Sequence, residues 1–240
     1  MTLGVIGGLG PMATAYFMQL LISMTDARCD QEHLEMIIYN IPSVPDRTEY
    51  ILGKSDKNPV PKILEIGQSL TEQGAGVLAM PCMTAHYFHS QLQDGFSVPL
   101  INGIKCTAEL LSRSNITKAG IFATDGTISC GLFQKEFERA GIEAVLPDKE
   151  GQAGVMKLIY EDIKANREPD MQLFERISNA VFERGAQVII LGCTELSVIK
   201  SNNDLSGRFV DAMEVLAAHT VTSCGKPLRD EYKSLITGLK

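Results

Sequence analysis

The chain has 240 residues, 45% of them hydrophobic and 21% charged, with a formal net charge of −7. That balance is the ordinary one for a soluble globular chain with a sizeable core, and it excludes extensive disorder. An acidic field does not attract nucleic acid or an anionic membrane. No apolar run reaches the ~18 residues of a membrane span, and the first run starts too close to Met1 for a secretory leader. Small molecules are therefore the expected partners and the cytoplasm the expected address.

In chain order, Leu3 to Gly7 is a short apolar run closed by Gly8-Leu9-Gly10-Pro11, and Met12 to Thr25 repeats apolar residues at helical spacing. Pro11 suits a first helical turn. Leu34 to Asn40 is a second strand. Ile41 to Thr48 is expected to be extended, because the residue before each proline avoids the α region. A helix over Pro61 to Gln73 precedes a strand ending near Cys82. Next come Leu100-Ile101-Asn102, a helix over Ile104 to Ser112, the Gly120 strand, a helix over Leu132 to Ala140 and a strand over Glu143 to Leu146. Helices over Val155 to Lys164 and Met171 to Phe182, the Cys193 strand, and Phe209-Val210-Asp211 leading into a helix over Ala212 to Ser223 complete the order.

Two stretches are near copies of each other. Gly74-Ala75-Gly76-Val77-Leu78-Ala79-Met80-Pro81-Cys82 and Gly185-Ala186-Gln187-Val188-Ile189-Ile190-Leu191-Gly192-Cys193 each run from Gly-Ala through an apolar segment to a cysteine. Earlier in each half, Leu3-Gly4-Val5-Ile6-Gly7 pairs with Ala119-Gly120-Ile121-Phe122-Ala123. Internal repetition of this kind predicts two similar α/β lobes, each a mainly parallel sheet flanked by helices, with a site in the cleft between them. The first lobe is expected to take residues 1–98 and 209–240, with the C-terminal helix returning to it, and the second residues 99–208. The carboxyl ends of parallel strands are where such sheets place their chemistry, so Cys82 and Cys193 are offered from equivalent places.

A buried cysteine at a strand end is ordinarily only a small hydrophobe. Two at matched ends, each followed by hydroxyl-bearing residues and a helix start that favours thiolate, suit a proton-transfer pair. The six cysteines show no CxxC pair and no Cys/His metal spacing, so reduced thiols and no metal are expected. Gly8-Leu9-Gly10-Pro11-Met12-Ala13 formally fits a dinucleotide fingerprint. The second strand, however, ends at Tyr39-Asn40 with no acidic residue to hold a ribose. A strand-to-helix turn whose backbone N–H groups suit a carboxylate fits the loop better.

Val5-Ile6-Gly7-Gly8-Leu9-Gly10-Pro11, Pro45-Asp46-Arg47-Thr48, Pro81-Cys82-Met83-Thr84-Ala85-His86, Ala123-Thr124-Asp125-Gly126-Thr127 and Leu191-Gly192-Cys193-Thr194-Glu195-Leu196 together resemble, in order and over nearly the whole chain, the aspartate/glutamate racemase family. The resemblance implies a cofactor-independent enzyme, usually a homodimer, that racemises an acidic amino acid between two cysteines. It makes Cys82 and Cys193 the proton-transfer pair. Thr84, Thr124, Thr127 and Thr194 become donors to the α-carboxylate and amine, and Gly10 the point of close approach in the first loop. Arg47 becomes the side-chain carboxylate anchor, and Lys164 a further basic residue near the pocket. Arg47 paired with Asp46 or Glu49 at the surface, and a solvated Lys164, are the competing explanations. His86 either polarises Cys82 or supports it from behind, and Glu195 accepts a hydrogen bond without acting as a base.

One position departs from the family pattern: Met83 stands where the family has asparagine. A thioether is a weak acceptor where an amide both donates and accepts. Two alternatives follow, a racemase for a less polar amino acid and a catalytically weakened relative that binds a small dicarboxylate. Cysteine-dependent isomerisation or decarboxylation of another carboxylic acid is a neighbouring possibility.

Overall fold

The computed structural model describes residues 1–203, 205 and 207–238. Two parallel sheets form. Strands β1 (Leu3–Gly7), β2 (Met36–Asn40) and β3 (Val77–Ala79) take the order β2-β1-β3. Strands β4 (Lys118–Phe122), β5 (Glu143–Val145), β6 (Val188–Leu191) and β7 (Phe209–Asp211) take the order β5-β4-β6-β7. The repeat is structural as well as sequential: β1 and β4 are each flanked by the next strand on one side and the cysteine-bearing strand on the other.

Both faces of each sheet are covered, as parallel strands require. Leu3 and Val5 of β1, and Val188 and Ile190 of β6, point into one core shared by the lobes, together with Phe17, Leu21, Ile104, Leu216 and Val221 from helices. The alternate residues face outer cores. Ile6 and Leu78 pack on Ile63 and Leu70 of the Val60–Glu72 helix, while Phe122, Ile189 and Leu191 pack on Phe174 and Val181 of the Met171–Glu183 helix. The repeated strand glycine has a packing cause. A Cβ on Gly4 would lie 2.6 Å from Leu78 Cδ2, and one on Gly120 2.6 Å from Val181 Cγ1.

The connections between lobes run differently from the expected division at residues 99 and 209. Leu78 accepts from Ile101 N–H (2.9 Å) and donates to the Pro99 carbonyl (2.8 Å), which places Leu100 beside β3 in the first sheet. Conversely β7 hydrogen-bonds β6 and closes the second sheet. Hydrogen bonding therefore assigns each of these short segments to the lobe opposite the expected one. The polar residue at the end of each then caps a helix. Asn102 accepts from Ile104 N–H and Lys105 N–H at the start of Gly103–Arg113, and Asp211 accepts from Met213 N–H at the start of Ala212–Ser223. These two helices pack on each other, and Ala212–Ser223 also packs on the first-lobe helix Pro11–Met24.

Two local expectations also change. Asp46 caps a short helix, Arg47–Ile51, by accepting from Glu49 N–H at 2.9 Å, and the segment expected to be extended from Ile41 to Thr48 instead turns at Pro42-Ser43, where Val44 N–H donates to the Ile41 carbonyl, before that helix begins. The expected helix over Val155 to Lys164 is an α-helix, Lys149–Lys157, that continues as a π-helical turn, Leu158–Ile163. Such turns re-aim the side chains that follow and recur at functional sites. No helix among the described residues is long and apolar enough to cross a membrane.

Candidate active site

After β3 the chain continues through Met80 and Pro81 to Cys82, whose extended backbone (φ −149°, ψ 101°) leads into a 3₁₀ turn, Met83–Phe88. After β6 it continues through Gly192 to Cys193, equally extended (φ −142°, ψ 140°), at the start of the helix Thr194–Asn202. Both cysteines are nearly buried, 9% and 8% exposed, and both line one cavity of about 30 Å³ between the lobes.

The floor of the cavity is built from threonines of both lobes. Thr84 Oγ1 lies 3.0 Å from Thr127 Oγ1 and 3.3 Å from Thr124 Oγ1, and Thr124 and Thr127 are 3.1 Å apart. Thr84 and Thr124 reach the cavity surface, while Thr127 is fully buried behind them. The short helix Asp125–Ser129, capped by Thr124, approaches the start of the Arg47–Ile51 helix closely. A Cβ on Gly126 would stand 3.1 Å from Thr48 Cα, so glycine is what lets the lobes meet here.

Arg47 lines the cavity, but its guanidinium is largely committed to backbone. One Nη donates to the carbonyls of Pro45 (3.0 Å) and Val44 (3.3 Å), and the other to Leu9 O (2.6 Å). Nε is buried without a partner. Gly10 stands outside the cavity lining, which Leu9 joins instead. The glycine loop also spends one of its N–H groups internally, Gly8 donating to Thr14 Oγ1 at 2.8 Å.

Around Cys82 the chain neighbours are neutral. His86 does not polarise the thiol: its Nδ1 lies 2.9 Å from the Cys82 carbonyl oxygen. Burial pushes the His86 pKa down to about 4, so the imidazole is uncharged near neutrality. Met83 lines the cavity at 2% exposure, and its thioether rests beside Gly103 and His86.

Around Cys193 the neighbours are charged. Its Sγ donates to Glu195 Oε2 at 2.8 Å, and Thr194 Oγ1 donates to the same oxygen at 3.0 Å. Lys164 Nζ lies 4.0 Å from Glu195 Oε1 and 4.0 Å from the centroid of the Tyr160 ring. Burial pushes the Cys193 thiol well above its ordinary pKa, and Glu195 adds to this, while Lys164 opposes it. The thiolate expected at this helix start is thus not favoured. Burial works against the charge on Lys164, but Glu195, Cys193, Tyr160 and Asp46 outweigh it and hold the ammonium above its usual pKa.

A family model described as Asp/Glu/hydantoin racemase matches residues 6–220. The chain belongs to this racemase family. It is 26% identical over 230 residues to the broad specificity amino-acid racemase RacX of Bacillus subtilis, covering 92% of this chain and 97% of that protein. It is 25% identical over 178 residues to a glutamate racemase of Pseudomonas paraeruginosa, covering 72% and 63%. Among solved structures, the Picrophilus torridus aspartate racemase superposes with a TM-score of 0.83 at 33% identity, covering 97% of each chain. Membership of the racemase family makes the protein an enzyme, and the likeness of fold extends to glutamate racemases such as that of Francisella tularensis (TM-score 0.66, 16% identity).

Of the residues singled out from the sequence, the cavity gathers Cys82, Cys193, Arg47, Met83, Thr84, Thr124, Lys164 and Thr194, and leaves out Gly10 and Thr127. Sequence reasoning missed Tyr160 and Asp46 as lining residues and gave Glu195 no thiol partner. Tyr160 was findable: it stands four residues before Lys164, the spacing that stacks side chains on one helical face. Among the described residues no three His, Cys, Asp or Glu side chains converge as metal ligands do.

Proposed function

We propose that the chain racemises an acidic α-amino acid, aspartate or glutamate, by moving the α-proton between Cys82 and Cys193. The observation that carries this reading is that two thiols from equivalent strand ends of two lobes line a single cavity. One thiolate removes the α-proton from one face while the opposite thiol supplies a proton to the other. The reaction is redox-neutral, so its balance needs no oxidant or reductant. The α-proton is far less acidic than a thiol, so donors fixed around the carboxylate must stabilise the charge that develops. Thr84 and Thr124, already held in place by their mutual hydrogen bonds, supply such donors.

Arg47 is the lining group whose release from backbone carbonyls would accompany substrate entry. In this reading its Nε–H and remaining Nη–H meet the side-chain carboxylate. A second reading, a racemase for less polar amino acids, is supported by Met83 in the lining and by the backbone ties of Arg47. Similarity to a broad specificity racemase points the same way. A homodimer and a cytoplasmic address complete the proposal, the latter supported by six unpaired cysteines.

Incubation with L- and D-amino acids in deuterated water, followed through the α-proton signal, tests the reading. Exchange and racemisation of aspartate or glutamate are expected. Exchange confined to apolar amino acids would favour the second reading, and thermal protection by dicarboxylates without exchange would leave only a binding protein. Light scattering at micromolar concentration checks the dimer.

A further inference from the structure

We propose that Glu195 is a positioning residue that keeps the proton on Cys193, so that Cys193 is a proton donor in the resting site. The inference rests on the two-thiol reading above. An ionised carboxylate only accepts hydrogen bonds, so the proton in the 2.8 Å contact between Cys193 Sγ and Glu195 Oε2 belongs to sulfur. The same oxygen takes the Thr194 hydroxyl, and the other faces Lys164, which in turn stacks on Tyr160. Glu195 is thereby held from its own helix turn and from the π-helical segment opposite. The equivalent turn after Cys82 offers Met83 and Thr84, with no carboxylate.

The charged or titratable groups lining the cavity with Cys193 are Glu195, Lys164 and Tyr160 from the second lobe, and Asp46, Arg47 and Cys82 from the first. Glu195 is the one hydrogen-bonded to the thiol. For the enantiomer whose α-hydrogen faces Cys82, the Cys82 thiolate forms an S–H bond as the C–H bond breaks. The electron pair stays on the α-carbon and spreads into its carboxylate. The Cys193 S–H bond then breaks as a new C–H bond forms on the opposite face. Cys193 is left as a thiolate against Glu195, an unfavourable pair of like charges eased by Lys164. Proton uptake from solvent at Cys193 and proton loss at Cys82 restore the starting form.

Titration of the ultraviolet thiolate absorbance of the full-length protein, with Cys193→Ser subtracted, isolates the Cys193 thiol without any substrate. We expect it to ionise above the ordinary thiol value of ~8.5. Glu195→Gln should lower that midpoint by about 1–3 pH units, whereas Glu195→Asp, which keeps the charge, should restore at least part of the shift. In the racemase assay the basic limb of kcat/KM should fall with it in Glu195→Gln. An ordinary wild-type midpoint, or a Glu195→Gln midpoint that does not move, overturns the proposal. If Glu195→Gln does not fold, Lys164→Met, which leaves the Glu195 charge unopposed, should raise the Cys193 midpoint, and no rise overturns the proposal. A chain that racemises nothing would sink the reaction reading yet still give the titration.

Discussion

At the ends of β3 and β6 the backbone follows the same path, yet the two thiols it delivers meet opposite surroundings. The chain neighbours of Cys82 are neutral, with an uncharged His86 turned to its carbonyl and Met83 packed against Gly103. Cys193 donates to a carboxylate that is itself flanked by an ammonium and an aromatic ring. Duplicated topology therefore fixes where the two sulfurs stand, while the side chains of the turn that follows decide what each one meets. A pseudo-symmetric fold can host an asymmetric resting state.

The comparison breaks most sharply if only one sulfur matters. Cys82→Ser and Cys193→Ser should each reduce kcat by about 10²–10⁴-fold, the usual worth of a positioned acid or base, as read by chiral chromatography. A loss confined to one variant would show that the second thiol is a packing residue.

Acid should expose the difference next. The folded pKa of His86 is about 4, below its unfolded value of ~6.5, so its share of stability is complete above pH 6.5 and drains away as pH falls toward 4. That share is up to about 3 kcal/mol at full burial. Urea unfolding between those pH values should show a steeper loss for wild type than for His86→Gln, and parallel curves would mean the imidazole is not held neutral.

The packing symmetry can be tested at the strand glycines. Gly4→Ala and Gly120→Ala each bring a Cβ within 2.6 Å of a neighbouring side chain. Both should cost about 1–3 kcal/mol by denaturant unfolding, as overpacking does. Unequal costs would show that one outer core yields more readily than the other.

The smallest expected effect is at the position where the turns depart from the family pattern. Met83→Asn should raise kcat/KM for aspartate or glutamate by about tenfold, equivalent to one recovered hydrogen bond of ~1–1.5 kcal/mol. No gain would mean that Met83 acts through its packing on Gly103 rather than through substrate.

The fold and the cysteine pair were legible because both are written in short-range pattern. Apolar runs closed by Gly or Cys mark parallel strands, and their repetition marks the lobes. Less legible were the segments whose fate depends on partners distant in sequence. Pro99 to Ile101 joins β3, and Phe209 to Asp211 joins β6, through backbone hydrogen bonds that carry no side-chain signature. The π-helical turn at Leu158–Ile163 is likewise invisible to a helical-spacing argument, although it aims Tyr160 and Lys164 into the cavity. Arg47 illustrates a further limit: its motif located it correctly at the site, but the carbonyls of Leu9, Val44 and Pro45 that occupy its donors could be known only from the folded loop.

The last long helix, Ala212–Ser223, completes the packing around the first, Pro11–Met24, across almost the full length of the chain. During vectorial synthesis the amino-terminal strands emerge long before that cover exists, leaving Phe17 and Leu21 with an unfinished apolar wall until residues 212–223 have been made. A nascent chain stalled before residue 212 should therefore be degraded by protease where one that includes the Ala212–Ser223 helix resists.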